Sequence, residues 1–526
     1  MYIDEIRFGM SNKITFWILG VFWFLTSCDS GVDPTFSLPD DADLTNAIYV
    51  HINLNDLSDD TFKVEMYLNN LSADNGIIQF AATVPGTYDI LNVGRFVQNF
   101  QAFDELGNVI SSEKVSENQW KISDPLNAFK VTYEVKETFD TKVTEYPIYA
   151  MAGTSIEYDH VLLNTPMVIG YPEGLKERDF YVSVFYPESW EVGTALPEIA
   201  ENLYLATDFD HLADSPLLLG KMTSTTLEVG GADIGLYVYS QGENISATQV
   251  LSDVNQVLLD AEAFLKKLPT DSYDFLYHFG DVGGGALEHS KSSVYVLEDY
   301  PYDQVNYGPF IKSISAHEFF HVVTPLNIHS EIIADFNFAD PNPSQHLWLY
   351  EGVTEWASDI MQYRNGSMNL SRLLTEYQRK VKNNNSYDAQ FSLQQMGAEA
   401  YTPKGSGEFG NVYNRGAVVT SLLDIRLLEL SNGTKGMREL ILELIETFGP
   451  EKAFSETDFF NTLVEMTYPE IDTFINDYIK GTEPLPLKEY YSKIGIDYNS
   501  SDHSFSKMNS LSAEQSFMFE IWSKNL

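Results

Sequence analysis

Between about residues 47 and 228, apolar and polar residues alternate in short runs. Examples are Tyr49-Val50-His51-Ile52-Asn53-Leu54, Phe62-Lys63-Val64-Glu65-Met66-Tyr67-Leu68 and Phe129-Lys130-Val131-Thr132-Tyr133-Glu134-Val135. A period of two puts successive side chains on opposite faces of a strand, and Asn, Asp and Gly at the breaks supply turns. The pattern predicts an N-terminal antiparallel β-sandwich over residues 46–228, with nothing in it that looks catalytic. The texture changes near residue 230. A helical period runs over 247–267, followed by strand-like runs at 273–279 and 293–297 on either side of Gly283-Gly284-Gly285. Two apolar segments, 310–323 and 346–363, complete an α+β unit assigned to 229–370. Long helical patterns, for example 418–430 and 436–448, then predict a helical domain over 371–495, leaving 496–526 as a tail. The fold class is thus α+β and multidomain.

The start of the chain follows a different logic. Residues 14–27 form an apolar run preceded by Lys13 and closed by Leu25-Thr26-Ser27-Cys28. At fourteen residues it is shorter than the roughly twenty a spanning helix needs, and it has the layout of an exported leader. Cys28 is the only cysteine of the 526-residue chain, which excludes an internal disulfide. The run also resembles a bacterial lipobox, which implies a leader over 1–27 and lipidation of Cys28. Asp4 and Glu5 are unusual in the positive start of such a leader, and translation from Met10 would remove them. Residues 28–45, acidic and carrying Pro34 and Pro39, read as a flexible tether. The protein is therefore expected to be an exported lipoprotein of a bacterial cell envelope, periplasmic or surface-facing, touching the membrane only through that anchor. A formal charge of -44, from 76 acidic and 32 basic residues, repels nucleic acid and anionic headgroups and excludes both as partners.

The chemistry concentrates in His317-Glu318-Phe319-Phe320-His321. Residues four apart share a helix face, so both imidazoles can reach one metal, while Glu318 can approach a water without being a ligand. One zinc ion suits two imidazoles and leaves room for substrate. Glu351, in Trp348-Leu349-Tyr350-Glu351-Gly352, is a carboxylate in an apolar setting, costly to bury unless paired or metal-bound, and is the natural third ligand. Glu355 lies on the same helical face and is a candidate partner for a histidine's second nitrogen.

Together with Gly285-Ala286-Leu287-Glu288-His289, these motifs resemble the glycyl aminopeptidase family of thermolysin-like gluzincin zinc peptidases. The resemblance spans about residues 45–495 and implies a β-rich start, a thermolysin-like catalytic domain and a helical end. It implies that Gly284, Gly285 and Ala286 lie along the peptide substrate, as an edge strand would, and that Glu288 holds its free α-amino group. Tyr413-Asn414-Arg415-Gly416, opening an apolar helix at 417–430, is similar to the Tyr-x-Lys-Gly element of that clan, which implies that Tyr413 donates to the oxyanion. The expected activity is removal of small N-terminal residues, glycine or alanine, from peptides, with Glu318 as general base. The chain departs from the family after His321, where Val323-Thr324-Pro325-Leu326-Asn327 stands in place of a Trp-Asn pair and Pro325 should end the metal helix. It also departs in having too few residues after 496 for a C-terminal PDZ module. Two alternatives stand beside this reading: an endopeptidase on the same core, favoured if Glu288 is remote from the metal, and a non-catalytic lipoprotein binding module with structural zinc.

Overall fold

A computed structural model describes residues 46–143, 145–303 and 307–525. The leader, Cys28 and the tether lie outside the described residues. The N-terminal region is a β domain, as its alternation implies. Its largest sheet has eight strands, with Ala47–Asn53 and Thr61–Tyr67 near the centre. Burial in Thr61–Tyr67 alternates along the strand: Phe62, Val64 and Met66 are buried and Lys63 is exposed. The sandwich is not wholly antiparallel, because Ala47–Asn53 pairs in parallel with Asp179–Phe185. Two four-stranded sheets pack behind it, and Phe62, Phe80, Tyr133 and Val182 belong to the core they enclose.

The boundary expected at residue 228 falls earlier. Strand Thr223–Val229 is already the edge of the next sheet, paired along its length with Ala232–Ser240. That alternating strand resembles its predecessors in sequence, so period alone assigned it to the wrong sheet. The second sheet has five strands. Its centre is parallel, Ala232–Ser240 with Ser272–Gly280 and then Ser292–Glu298, and Gly285–Glu288 closes it as an antiparallel edge. Helix Ala247–Leu265 forms the crossover between the first two parallel strands. It begins at Ser246, whose backbone and hydroxyl both meet the Gln249 side chain at 2.9 Å in a capping box. Leu162 and Leu218 of the β domain pack against Leu276, Val294 and Val296 of this sheet. A Cβ on Gly193 would lie 2.5 Å from the Tyr237 ring, so the β domain meets the sheet at a place only glycine allows.

The C-terminal helical region shares its core with the catalytic unit. Val257 and Phe264 beside the sheet, Phe319 and Trp356 in the metal region, and Leu423 and Tyr491 further on belong to one continuous core. Residues 496–525 are not a loose tail. Ile496–Asn499 and Ser504–Lys507 form a hairpin, and helix Ala513–Trp522 buries Trp522 completely. Among the described residues no helix is long and apolar enough to cross a membrane.

Candidate metal centre

Helix Tyr307–Phe320 carries His317 and Glu318 and ends one residue before His321. Regular helix therefore stops ahead of Pro325, and His321 stands in a tight turn, its N–H donating to the Glu318 carbonyl at 3.2 Å. Asn327 holds this turn by donating from Nδ2 to the Val322 carbonyl at 2.6 Å. Facing it, Trp348–Val353 forms a π-helical turn that runs into helix Thr354–Asn365. Such turns re-aim side chains and recur at functional sites; this one carries Glu351. A Cβ on Gly352 would lie 2.7 Å from the Cα of Gly416. That turn and helix Gly410–Leu430, which carries Tyr413, thus touch backbone to backbone.

His317 Nε2 lies 3.2 Å and His321 Nε2 3.5 Å from Glu351 Oε2. One donor atom from each of the three residues falls within 4.8 Å of the others. The second nitrogen of each imidazole is held elsewhere: His317 Nδ1 at 2.9 Å from Glu355 Oε2, and His321 Nδ1 at 3.0 Å from the Thr324 carbonyl. These contacts fix both rings so that Nε2 of each points to the same place. Glu355 is neutralised in turn by Lys380, whose Nζ is 2.8 Å from it and 2.7 Å from Asp359.

Charge in this cluster is lopsided. Burial alone would lower both histidines, yet His317 is raised well above its usual value by Glu351 and Glu355, and His321 is raised to about 9 chiefly by Glu288 and Glu351. Excess carboxylate is what protonates the rings; a divalent cation supplies the same positive charge while leaving the imidazoles neutral ligands. Glu318 points to the same conclusion. Burial pushes it up to about 7 against the two imidazoles, and its Oε2 is buried with no hydrogen-bond partner. Two ring nitrogens and a carboxylate are a donor set for zinc with a position to spare. The residues fit the metal.

Glu288, at the end of edge strand Gly285–Glu288, is also brought in. One oxygen of it, one of Glu318 and one ring nitrogen of His321 lie within 4.8 Å of each other. Gly284, Gly285 and Ala286 line the same cleft, of about 420 Å3. The Tyr413 ring stacks obliquely on His317 at 5.6 Å between centroids, and burial beside Glu351 and Glu288 raises its phenol well above the usual value. Tyr413 lies inside its helix, three residues past the start at Gly410, and not before it. Arg415 faces elsewhere and donates to the Glu483 carbonyl at 3.3 Å. Four further histidines have partners of their own: His278 with His160 at 2.8 Å, His289 with Asp214 at 3.2 Å, His329 with the Pro325 carbonyl at 3.0 Å and His346 with the Glu456 carbonyl at 2.8 Å.

The β domain, expected to be inert, contributes two residues. Gly86 (φ +84°) covers Glu288 so closely that a Cβ would lie 2.6 Å from Leu287 and 2.9 Å from Glu288 Oε2. Tyr88 has a left-handed backbone (φ 49°), rare for an aromatic residue, and its half-buried phenol lies against Glu351 and Glu288. Its ring sits 5.4 Å from Phe409. The only signal in the sequence was the turn pair Pro85-Gly86, which marks a turn without saying what the turn faces.

Comparison with known proteins gives a consistent picture. Residues 49–221 match the model of the Peptidase M61 N-terminal domain, and residues 311–419 match that of the M61 glycyl aminopeptidase. No curated protein matches the chain. Among solved structures, an aminopeptidase N family protein from Idiomarina loihiensis superposes with a TM-score of 0.76 at 20% identity. That match covers 86% of this chain and 78% of the other. A mutant M1 zinc metallopeptidase from Deinococcus radiodurans, bound to a Tyr-Ser-Ala substrate, gives 0.52 at 13% identity, over 84% of this chain and 94% of the other. At these identities the likeness is one of fold.

Proposed function

The chain belongs to the M61 glycyl aminopeptidase family and is a zinc metallopeptidase, and from that premise we propose that it removes single residues from the free N-termini of peptides. His317, His321 and Glu351 would hold the zinc. A zinc ion there supplies Lewis acidity, which makes water nucleophilic near neutral pH and polarises a carbonyl. The remaining work falls to the chain's own groups. The substrate backbone lies along the Gly285–Glu288 edge and extends the sheet by one strand. Glu288 accepts hydrogen bonds from the α-ammonium. The unpartnered Oε2 of Glu318 takes a proton from the attacking water and returns it to the departing amine. The Tyr413 O–H donates to the oxygen on which charge develops. The first residues removed are small ones, glycine, which the family description names, and alanine.

The observation that carries this reading is the position of Glu288, within 4.8 Å of both Glu318 and His321. A carboxylate inside the cleft attracts an ammonium group and disfavours a continuing chain, which is unlike the open cleft an endopeptidase needs. A buried unpartnered Glu318 likewise disfavours a binding module with structural zinc. Replacing Glu288 with Ala should lower kcat/KM on free-amine peptides by about 10²-fold, the loss of a charge-assisted contact, and leave acetylated peptides little affected. Equal losses on both would end the aminopeptidase reading. Glu318→Gln should retain stoichiometric zinc and lose nearly all hydrolysis. Export and lipid attachment at Cys28 belong to the same proposal, supported by the sequence pattern at residues 14–28; failure of radiolabelled palmitate to appear on the expressed protein would remove them.

A further inference from the structure

Arg415 sits two residues past Tyr413 on the same helix, yet it does not line the catalytic cleft. The residue is only 7% exposed. Its Nε is buried with no hydrogen-bond partner, and its Nη2 donates to the Glu483 carbonyl at 3.3 Å. Burial lowers the pKa of this guanidinium, and no nearby carboxylate raises it. Two other arginines of the helical region are treated differently. Arg364 and Arg438, each with a side chain 3% exposed, lie 2.8 Å from Asp424 and Glu439. With 76 acidic residues against 32 basic ones, carboxylates are plentiful in this chain. A buried guanidinium left without one is the exception.

Arg415 lines a cavity of about 460 Å3. It lies between helix Leu370–Asn384, helix Gly410–Leu430, the segment 482–487 and the C-terminal hairpin. Val381, Val418 and Leu487, all buried, give it an apolar wall. The hairpin adds a donor. Asn385 Nδ2 lies 3.0 Å from His503 Nε2, and an amide nitrogen can only donate, so Nδ1 of that ring carries the proton and donates to the Tyr498 hydroxyl at 2.6 Å. Tyr498, 9% exposed and lining the cavity, is thus left with an O–H to give and no acceptor for it among the described residues. The helix-end carbonyls that would repel an anion are covered. Those of Lys382, Asn383 and Asn384 accept from the N–H groups of Asn385, Ser386 and Tyr387 at 3.2, 2.9 and 3.2 Å. Glu483 also borders the cavity, but it is exposed and its charge does not act on Arg415.

We infer that this cavity is a binding site for a small carboxylate with an apolar body, the carboxylate on the Arg415 guanidinium and the body against Val381, Val418 and Leu487. The planar fork of a guanidinium meets a carboxylate with two parallel N–H···O bonds. A cation already buried without a partner gains most from such a ligand, because its desolvation is complete before the ligand arrives. Amino acids and short peptides, which a peptidase meets and releases, are carboxylates of this kind. The site is separate from the metal centre and does not rest on the catalytic reading.

The experiment is calorimetric titration of the zinc-loaded full chain with N-acetyl-leucine, whose blocked amine gives Glu288 no ammonium to hold. N-acetyl-leucinamide and inorganic phosphate serve as comparators. We expect N-acetyl-leucine to bind roughly tenfold or more tighter than either. Arg415→Met should weaken it about 10–100-fold, as loss of a charged hydrogen-bonding partner does. Arg415→Lys, which keeps the charge and loses the fork, should fall between the two. In buffer free of small anions, Arg415→Met should hold or raise the Tm, since it removes an unpaired buried charge. Binding unchanged in Arg415→Met would place the ligand at the metal and overturn the site. A Tm several degrees below wild type would make the arginine a packing element and overturn it equally. Phosphate or the amide bound as tightly as N-acetyl-leucine would overturn the ligand class.

Discussion

Two buried charge clusters share one hydrophobic core and are built to opposite ends. Around Asp424 everything closes: Arg364 Nη2 lies 2.8 Å from Oδ2, the Met437 N–H donates to Oδ1 at 2.8 Å, and Arg364 Nε donates to the Trp522 carbonyl at 2.9 Å. Around His317 and His321 the negative charge is in excess and Glu318 keeps an oxygen without a partner. Burial of charge is costly in both. The first cluster recovers that cost within the fold, as a tie between two helices and the C-terminal segment. The second leaves it unrecovered, and an unrecovered cost is what a cation and a substrate can relieve. Buried charge alone therefore does not mark a site; incomplete pairing does.

The sharpest way to break this comparison is to open the closed cluster. Arg364→Met should cost about 3–5 kcal/mol in urea unfolding, because it strands Asp424, while kcat per folded molecule stays near wild type. A large fall in kcat would mean the two clusters are not separate. Tyr413→Phe should do the reverse, lowering kcat by about 10²–10³ with KM and Tm almost unchanged, as removal of an oxyanion donor does. A Tm loss without a rate loss would return Tyr413 to a packing role. Glu355→Gln should weaken zinc retention about 10–100-fold in chelator competition, since it removes the negative charge behind His317 Nδ1; unchanged retention would place Glu355 with Lys380 as structure only.

The smallest effect concerns a third buried pair, His160 and His278, away from the metal. Burial, with His160 beside it, lowers His278 from 6.5 to about 3. The sign follows from which state binds the proton. Below pH 6.5 the unfolded chain takes it up and the folded one does not, so stability is full above 6.5 and falls as pH drops toward 3. The slope is about 1.4 kcal/mol per pH unit from this residue. Tm measured between pH 7 and 5 should fall, and less so in His278→Gln, which keeps a hydrogen-bonding group beside His160. An identical slope in the variant would assign the loss to carboxylates.

The features legible in the sequence were those with a local signature. Period and turn residues placed the strands near residues 49, 62 and 129 and the helix at 247, and the spacing of His317, His321 and Glu351 selected residues that the fold brings together. Glu355 was legible too, because helical spacing sets its face. Contacts across the chain were not. Tyr88 and Gly86 reach the site only because the β domain docks there. The alternating Thr223–Val229 looked like one more strand of the sandwich because pattern does not record which neighbour a strand will choose. The C-terminal residues were read as a tail although Ile496, Tyr498, Phe505 and Trp522 carried the apolar spacing of packed structure.

The contact between Gly352 and Gly416 has a bearing on how such an enzyme can diversify. Glu351 precedes one glycine by a single position and Tyr413 precedes the other by three, so the spacing of ligand and phenol is set by two main chains packed so closely that a Cβ on either glycine would lie 2.7 Å from the Cα of the other. Any side chain at either glycine pries them apart, which makes this joint intolerant of drift. The turn that carries Gly86 and the edge strand Gly285–Glu288, both of which line the cleft, lie outside it. Selection is thus free to remodel what is accepted while the reacting apparatus is inherited as a single rigid hinge-pin.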